Sequence, residues 1–507
     1  MADASRQRIR AGAATAVAQV LVMAGSSLLG LLIARRLGSS GATDGFFAAN
    51  AVYGIALFTA QSLRTTAPAT LLDPGGDTLV RHLRAVGLIA VAILVLFGLV
   101  AASADVVVSD EAAGTLRVAL AVLAPAAVAQ LFAGLLAARC AVLGQFGRPA
   151  GAYAVGTLVM AAAFVVLVGP LGVDAIAVAV AIGAVVSAAT MTVVWRSAER
   201  RAADPVAPAA SESLDDYDTA PSLIAHLLRG ALPVLASQVV ISVSVFAAGH
   251  VAAGDGTLYS YGTLAVSVLV AIVASPVSIV LAPEIARTWD RRPATLLPPT
   301  VASYRLGALL LPALAIPTLL IGPAVADWLL TALSSADVET VFAVAAIMVP
   351  SVLVTLLAMV PLVGTVAAGL LGRVGIGVAV VALVHVPAAV IAASTGSILL
   401  LAFEGVLAAT ALGAVPVLVA LRGSVRSLSV AVAGVTGRYV LPAAVAATAA
   451  WLALGASADL GPNVVAVLIG LVVHGLVAAT VGRDDMRLVL PARLVAFGSG
   501  AGRRPAS

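Results

Sequence analysis

The sequence predicts an all-α polytopic membrane protein with about 14 transmembrane helices, and three observations carry that reading. The 507 residues are 62% hydrophobic and only 10% charged, with a mean hydropathy of +1.12, whereas a soluble domain carries about a quarter charged residues. The apolar residues fall in runs that repeatedly reach the roughly 20 residues a helix needs to cross the hydrocarbon core. The gaps between runs alternate in charge, arginine on one side of the membrane and aspartate or glutamate on the other. Only helices and closed barrels satisfy backbone polar groups in lipid. Continuous apolar runs, not alternating ten-residue strands, select helices.

Taken in order, the first span, 11–34, follows Arg6, Arg8 and Arg10 in the manner of a signal peptide. Its length and the spans that follow make it an uncleaved anchor. The second, 44–70, opens on Phe46 and Phe47 and ends in a polar strip of Gln61, Ser62, Arg64, Thr65 and Thr66. Spans at 83–103, 113–138, 150–169 and 172–195 complete a first set of six. The stretch Arg196–Ser222 holds Pro205, Pro208 and the acidic run Glu212–Asp218, a composition that suits a flexible linker. A second set occupies 226–251, 258–282, 301–322, 341–367, 372–394 and 398–420, and a last pair 438–456 and 462–482. The expected organisation is a six-helix lobe over 1–195, a cytoplasmic linker over 196–225, a second six-helix lobe over 226–420, an added pair over 421–482 and a cytoplasmic tail over 483–507.

Arginine placement sets the expected topology. Arg81 and Arg84, Arg139 and Arg148, Arg196 and Arg200, Arg287 and Arg291, Arg373, and Arg422 and Arg426 fall in alternate gaps. Asp105, Asp110, Asp174, Asp255, Asp337 and Asp459 fall in the others. An even number of spans with both termini in the cytoplasm satisfies the positive-inside rule, with Arg35 and Arg36 as external exceptions. All 28 basic residues are arginine and the pI is near 9.6. Because they flank apolar spans, they read as topology signals and not as a nucleic-acid patch. The single cysteine, Cys140, excludes an intrachain disulfide. No His/Cys/carboxylate spacing suggests a metal, no Walker loop is present, and no cofactor or enzyme activity is expected.

A weak internal repeat accompanies this division. Phe46 and Tyr261, and Pro68 and Pro283, share one offset, each pair marking the start and end of a span. Repeated halves are how many transporters build a site at the repeat interface.

The run Ala34-Arg35-Arg36-Leu37-Gly38-Ser39-Ser40-Gly41-Ala42-Thr43-Asp44-Gly45-Phe46-Phe47 resembles the signature of the lipid II flippase (MurJ/MviN) family at its first external turn. Leu228-Arg229-Gly230-Ala231-Leu232-Pro233 and Gly256-Thr257-Leu258-Tyr259 are further matches. The resemblance implies the multidrug/oligosaccharidyl-lipid/polysaccharide exporter fold. It also implies two lobes around a central cavity, a helix pair 13–14 that helps form a groove for a polyprenyl tail, and movement of lipid-linked cell-wall precursor across the cytoplasmic membrane by alternating access. Membrane lipids, a lipid-linked anionic substrate and other cell-envelope synthesis proteins are the partners it suggests. Where family members carry charges in the outer half of span one and early in span two, Met23–Ile33 and Ala51–Phe58 are neutral here.

Ionisable groups inside spans are expensive, roughly 2.5–3.5 kcal/mol at a helix centre, so the few present are the site candidates. Arg64, with Gln61 and Thr65, is placed to grip a phosphate with a guanidinium fork, against the alternative of reaching back to the interface. Arg117 sits on the acidic side, where topology explains it least, and Arg35 and Arg36 could attract an anionic headgroup at the external mouth. Glu404, near the outer third of span twelve and the only carboxylate well inside the second lobe, is the candidate for coupling to a proton or monovalent cation. His385 and His474, each central in a span, read as hydrogen-bonded packing residues. Two rivals stand beside the flippase reading: a cation-coupled drug or metabolite antiporter of the same fold, which requires an acidic cavity, and a non-transporting scaffold derived from a flippase.

Overall fold

The computed structural model describes residues 22, 25–26, 28–67, 71, 76–143, 145, 147–201, 220–270, 293–367, 370–453 and 460–489. In chain order they form α1 (28–37), α2 (Gly41–Thr66), α3 (Gly76–Ala102), the short α4 (Ala104–Val107), α5 (Asp110–Val142), α6 (Gly147–Leu171) and α7 (Asp174–Arg201). There follow α8 (Ala220–Gly249), α9 (255–270), α10 (Pro293–Leu320), α11 (Gly322–Leu329), α12 (Ser335–Met348), α13 (Pro350–Ala367), α14 (Leu371–Ser394) and α15 (Ile398–Ala420). The last are α16 (Val425–Val435), α17 (Leu441–Ala453) and α18 (Leu460–Val489), with a π-helical turn at Thr436–Val440 between α16 and α17.

Among the described residues ten helices are long and apolar enough to cross a membrane, and two shorter apolar helices lie at Leu235–Gly249 and Asn463–Val477. With α1 and α9 these occupy every one of the spans read from the sequence, and the chain is an all-α, multi-pass membrane protein. The lipid-facing surfaces are legible too. On α3, Leu88, Val91, Val95 and Leu99 are exposed at helical spacing, an apolar stripe with hydrocarbon as its partner.

The helices outrun the apolar spans at their arginine-bearing ends. The third starts at Gly76, so Arg81 and Arg84 lie inside it and not in a gap; the sixth runs to Arg201. Helical hydrogen bonding continues as long as the backbone can pair, while hydropathy falls as soon as the chain enters the interface. Of the linker read over 196–225, residues 196–201 and 220–225 are helical and 202–219 lie outside the described residues. Span ten is divided: α12 ends at Met348 and α13 begins at Pro350, whose ring leaves no N–H for the carbonyl one turn back. Pro68, Pro276, Pro283, Glu284, Arg287, Arg291, Asp459 and the arginines of the first ten residues lie outside the described residues, and with them the closing prolines of the repeat.

The chain divides into two compact units. The larger comprises Met1–Val268, Asp327–Met348 and Gly369–Val415; the smaller comprises Leu269–Ala326, Val349–Ala368 and Pro416–Ser507. Two of the boundaries fall beside prolines, just before Pro350 and at Pro416 within α15.

In the larger unit the signature run forms a polar fastening. Ser40 caps α2 by accepting the Thr43 N–H, while the Thr43 hydroxyl oxygen accepts the Ser40 N–H at 2.8 Å. Asp44, buried one residue later, accepts three hydrogen bonds from the turn before α9. These come from the Gly254 N–H to Oδ2 and from the Thr257 N–H and hydroxyl to Oδ1, each at 2.7 Å. Gly254 has φ +95, a conformation natural to glycine, and it turns its N–H toward the carboxylate. Phe47 packs edge-on against Tyr261, whose hydroxyl donates to the Gly38 carbonyl. Further along α2, the Ala51 carbonyl accepts from both Gln238 and Ser242 of α8.

The smaller unit is held by three apolar clusters. Leu296 of α10 packs with Val360, Leu421 and Leu428; Tyr304 and Ala308 pack with Val435 and Tyr439; Ile316 packs with Ala443, Ala447 and Val467. Two polar ties supplement them. The Tyr304 and Thr436 hydroxyls are 2.7 Å apart, and His474 Nε2 donates to the Leu309 carbonyl at 2.6 Å, so His474 is a packing residue as read.

Replacing Asp44 with Ala leaves three buried donors without their acceptor, at a combined cost of about 3 kcal/mol. The thermal unfolding midpoint in detergent should fall clearly for Asp44→Ala and hardly move for Asp105→Ala, an exposed carboxylate.

Candidate functional site

The first six spans, all in the larger unit, pack through small residues. A Cβ on Gly134 of α5 would lie 2.5 Å from the Ala60 carbonyl oxygen of α2, so only glycine allows that approach. Ala133, Leu136, Ala137, Ala152 and Met191 close the adjoining core between α5, α6 and α7. Where long polar side chains project instead, a cavity of about 980 Å³ remains, lined by residues between Val22 and Ser187.

Arg64, in the last turn of α2, borders this cavity together with Gln61. Its guanidinium carbon sits 4.9 Å from the centre of the Tyr153 ring, a cation–π contact worth about 1 kcal/mol. Among the described residues no carboxylate pairs with Arg64. Tyr53, Gln130 and Gln145 add hydroxyl and amide groups, and among the described residues the lining contains no aspartate or glutamate. A half-buried guanidinium with its donors uncommitted, backed by an aromatic face and neighbouring amides, is suited to hold a phosphate oxygen pair.

The other candidates lie elsewhere. The Thr65 side chain is outside the described residues. Arg117 is turned to the membrane edge, bound to Asp105 of α4 and the Ala101 carbonyl of α3. Arg35 and Arg36 are exposed at the end of α1 and do not border the cavity. Arg139, read as a gap residue, is buried in the last turn of α5. It donates to the Leu71 carbonyl at 3.0 Å and to Glu199 of α7 at 3.3 Å, tying three segments together. Outside the membrane-spanning segments, the Asp255 carboxyl is raised above its ordinary value by burial and by the charge of Asp337.

Glu404 is also apart from this cavity. Its Oε1 lies 2.8 Å from His385 Nδ1, so neither residue stands alone. Lying 19 residues apart on different helices, the two read separately along the chain. Tyr53, Gln130, Gln145 and Tyr153 were missed for the opposite reason. Uncharged, they do not interrupt an apolar run, and only their recurrence on neighbouring spans could have marked them.

No family model matches the sequence, and no curated protein matches it. Solved structures do. The fold is that of transporters of the multidrug/oligosaccharidyl-lipid/polysaccharide exporter (MOP) superfamily. Within it the chain is built like MurJ. The inward closed structure of the lipid II flippase MurJ matches with a TM-score of 0.71 at 14% identity, over 94% of this chain and 100% of that one. A Vibrio cholerae MATE transporter, VcmN, matches with 0.54 at 16% identity, over 84% and 98%. A MOP superfamily transporter from Pyrococcus furiosus with a binding pocket of reverse polarity matches with 0.52 at 16%, over 83% and 96%.

Arg139 and Arg64 should separate in a stability measurement. Arg139→Leu strips the partner from a buried carbonyl and is expected to cost about 2 kcal/mol, against about 1 kcal/mol or less for Arg64→Ala. Thermal midpoints of the two purified variants read the difference.

Proposed function

We propose that this chain is a flippase-type carrier that moves a polyprenyl-(pyro)phosphate-linked saccharide precursor of the cell envelope outward across the cytoplasmic membrane, with both termini in the cytoplasm. One observation carries the reading: among the described residues Arg64 is the only charged one on the cavity lining, and no described carboxylate accompanies it. A cationic drug would need an acidic wall in a low-dielectric site, where an uncompensated positive charge is strongly unfavourable. An anionic headgroup meets the opposite field. Tyr53, Tyr153, Gln61, Gln130 and Gln145 supply the mixture of aromatic faces and hydrogen-bonding groups that suits a sugar. MurJ, the lipid II flippase to which the fold is similar over its whole length, supports the class of cargo. Alternating access would carry the headgroup through the protein while the polyprenyl tail stays in lipid.

The test is translocation in proteoliposomes of a fluorescent undecaprenyl-pyrophosphate-linked disaccharide, followed by quenching from outside. Loss of one charge-assisted phosphate contact is worth about 1.5–3 kcal/mol, so Arg64→Ala should slow transport by roughly tenfold or more. Arg64→Lys should recover part of the rate, since it keeps the charge and loses the fork. A wild-type protein that moves no lipid-linked anionic glycan, or an Arg64→Ala variant as fast as wild type, overturns the reading.

A further inference from the structure

The cavity beside Arg64 has two unlike ends. Arg64, Gln61 and Gln145 border it near the ends of α2 and α5. Tyr53 precedes Arg64 by three helical turns, about 16 Å along α2. Packing sets the register of its neighbours. Gly134 of α5 meets Ala60 of α2, so Gln130, one turn earlier on α5, stands beside the α2 turn that follows Tyr53. On α7, Met191 packs with Ala133 and Ala137, which brings Ser187, also one turn earlier, into the same layer. Glycine makes room for it: a Cβ on Gly156 of α6 would collide with Ser187 Oγ.

The side chains of this deep layer have hydrogen-bonding capacity that the protein does not use. Tyr53 is 2% exposed and Ser187 3%, Gln130 is half-buried, and all three border the cavity. Among the described residues their hydroxyls and amide have no hydrogen-bond partner. Thr157 and Ser26, which also border the cavity, donate instead to the Tyr153 and Val22 carbonyls of their own helices. Unpartnered polar groups in an interior are unfavourable, so the layer favours an occupant that supplies both donors and acceptors. Two hydroxyls and an amide each donate and accept without charge, as the hydroxyls of a sugar do. A carboxylate only accepts. To fill the layer it would give up hydration about 16 Å along α2 from Arg64, the one guanidinium on the described lining.

We infer that Tyr53, Gln130 and Ser187 form a subsite for an uncharged sugar, and that the cargo is a lipid-linked glycan whose leading ring bears hydroxyl or acetamido groups and no carboxylate or peptide. The phosphate stays at Arg64 while the glycan reaches three turns deeper. The choice of cargo rests on the carrier reading above. The subsite's preference for neutral sugar is read from binding, so the two fail separately.

The first arm measures binding to the full-length protein in nanodiscs, by competition against the fluorescent undecaprenyl-pyrophosphate disaccharide. The competitors are undecaprenyl pyrophosphate carrying diacetylchitobiose, the same lipid with the terminal sugar oxidised to a uronate, and the sugar-free lipid. The neutral glycan should bind at least about tenfold more tightly than the uronate. Tyr53→Phe removes one neutral hydrogen bond and should cut the advantage of the neutral glycan over the sugar-free lipid by about threefold to tenfold. Ser187→Ala should act in the same direction, whereas Arg64→Ala should weaken all three lipids and keep that advantage. Equal binding of neutral and uronate lipids overturns the subsite. So do Tyr53→Phe and Ser187→Ala variants that match wild type for every lipid, the result expected if the layer holds water only. The second arm is transport of the same three lipids in proteoliposomes. Selective binding without transport sinks the carrier reading and leaves the subsite standing. Transport of the uronate lipid as fast as the neutral one sinks the subsite and leaves the carrier. Binding of none of the three sinks both.

Discussion

A charge buried in a membrane protein must find its partner inside the chain, because lipid offers none. That constraint organises the larger unit. Asp44 is met by the turn at Gly254–Thr257, Arg139 by Glu199 and the Leu71 carbonyl, His385 by Glu404, and Arg64 by the face of Tyr153. The first three are filled by partners that satisfy hydrogen-bonding capacity and so fasten helices together. Arg64 differs: an aromatic face steadies its charge and leaves the guanidinium donors uncommitted. The guanidinium with uncommitted donors is the one on the cavity wall, which is why an anionic headgroup is sought there.

The spans were readable because each is a local property. About 20 apolar residues in a row admit almost no other fate, and every such run is helical wherever it is described. Helix ends were less readable, since hydrogen bonding persists past the edge of hydropathy, as Gly76 and Arg201 show. Arg64 and Glu404 stood out as costly exceptions. Their surroundings did not: Tyr153 lies 89 residues after Arg64, and His385 precedes Glu404 by a turn between helices that periodicity cannot orient. Arg139 illustrates the limit in the other direction. Its sequence position matched a topology signal, yet its side chain is a buried strut.

The signature around Asp44 acquires a physical meaning from the fold. Its serine caps a helix with its threonine completing the capping box, its aspartate gathers three donors, and its second aromatic packs edge-on against Tyr261. Nothing in it touches the cavity. A motif that resembles a flippase family by sequence is thus, in this chain, a device for fixing one helix start against the turn before another. The polar groups that face the cavity lie elsewhere, around Arg64.

The prolines at 350 and 416 have a mechanical consequence. Each stands where the chain passes from one compact unit to the other, and each has already forfeited the amide hydrogen that would stitch it to the preceding turn. The helix is one rung short at each of these points, as it is at Pro125, Pro361 and Pro387, and its resistance to bending is lower there.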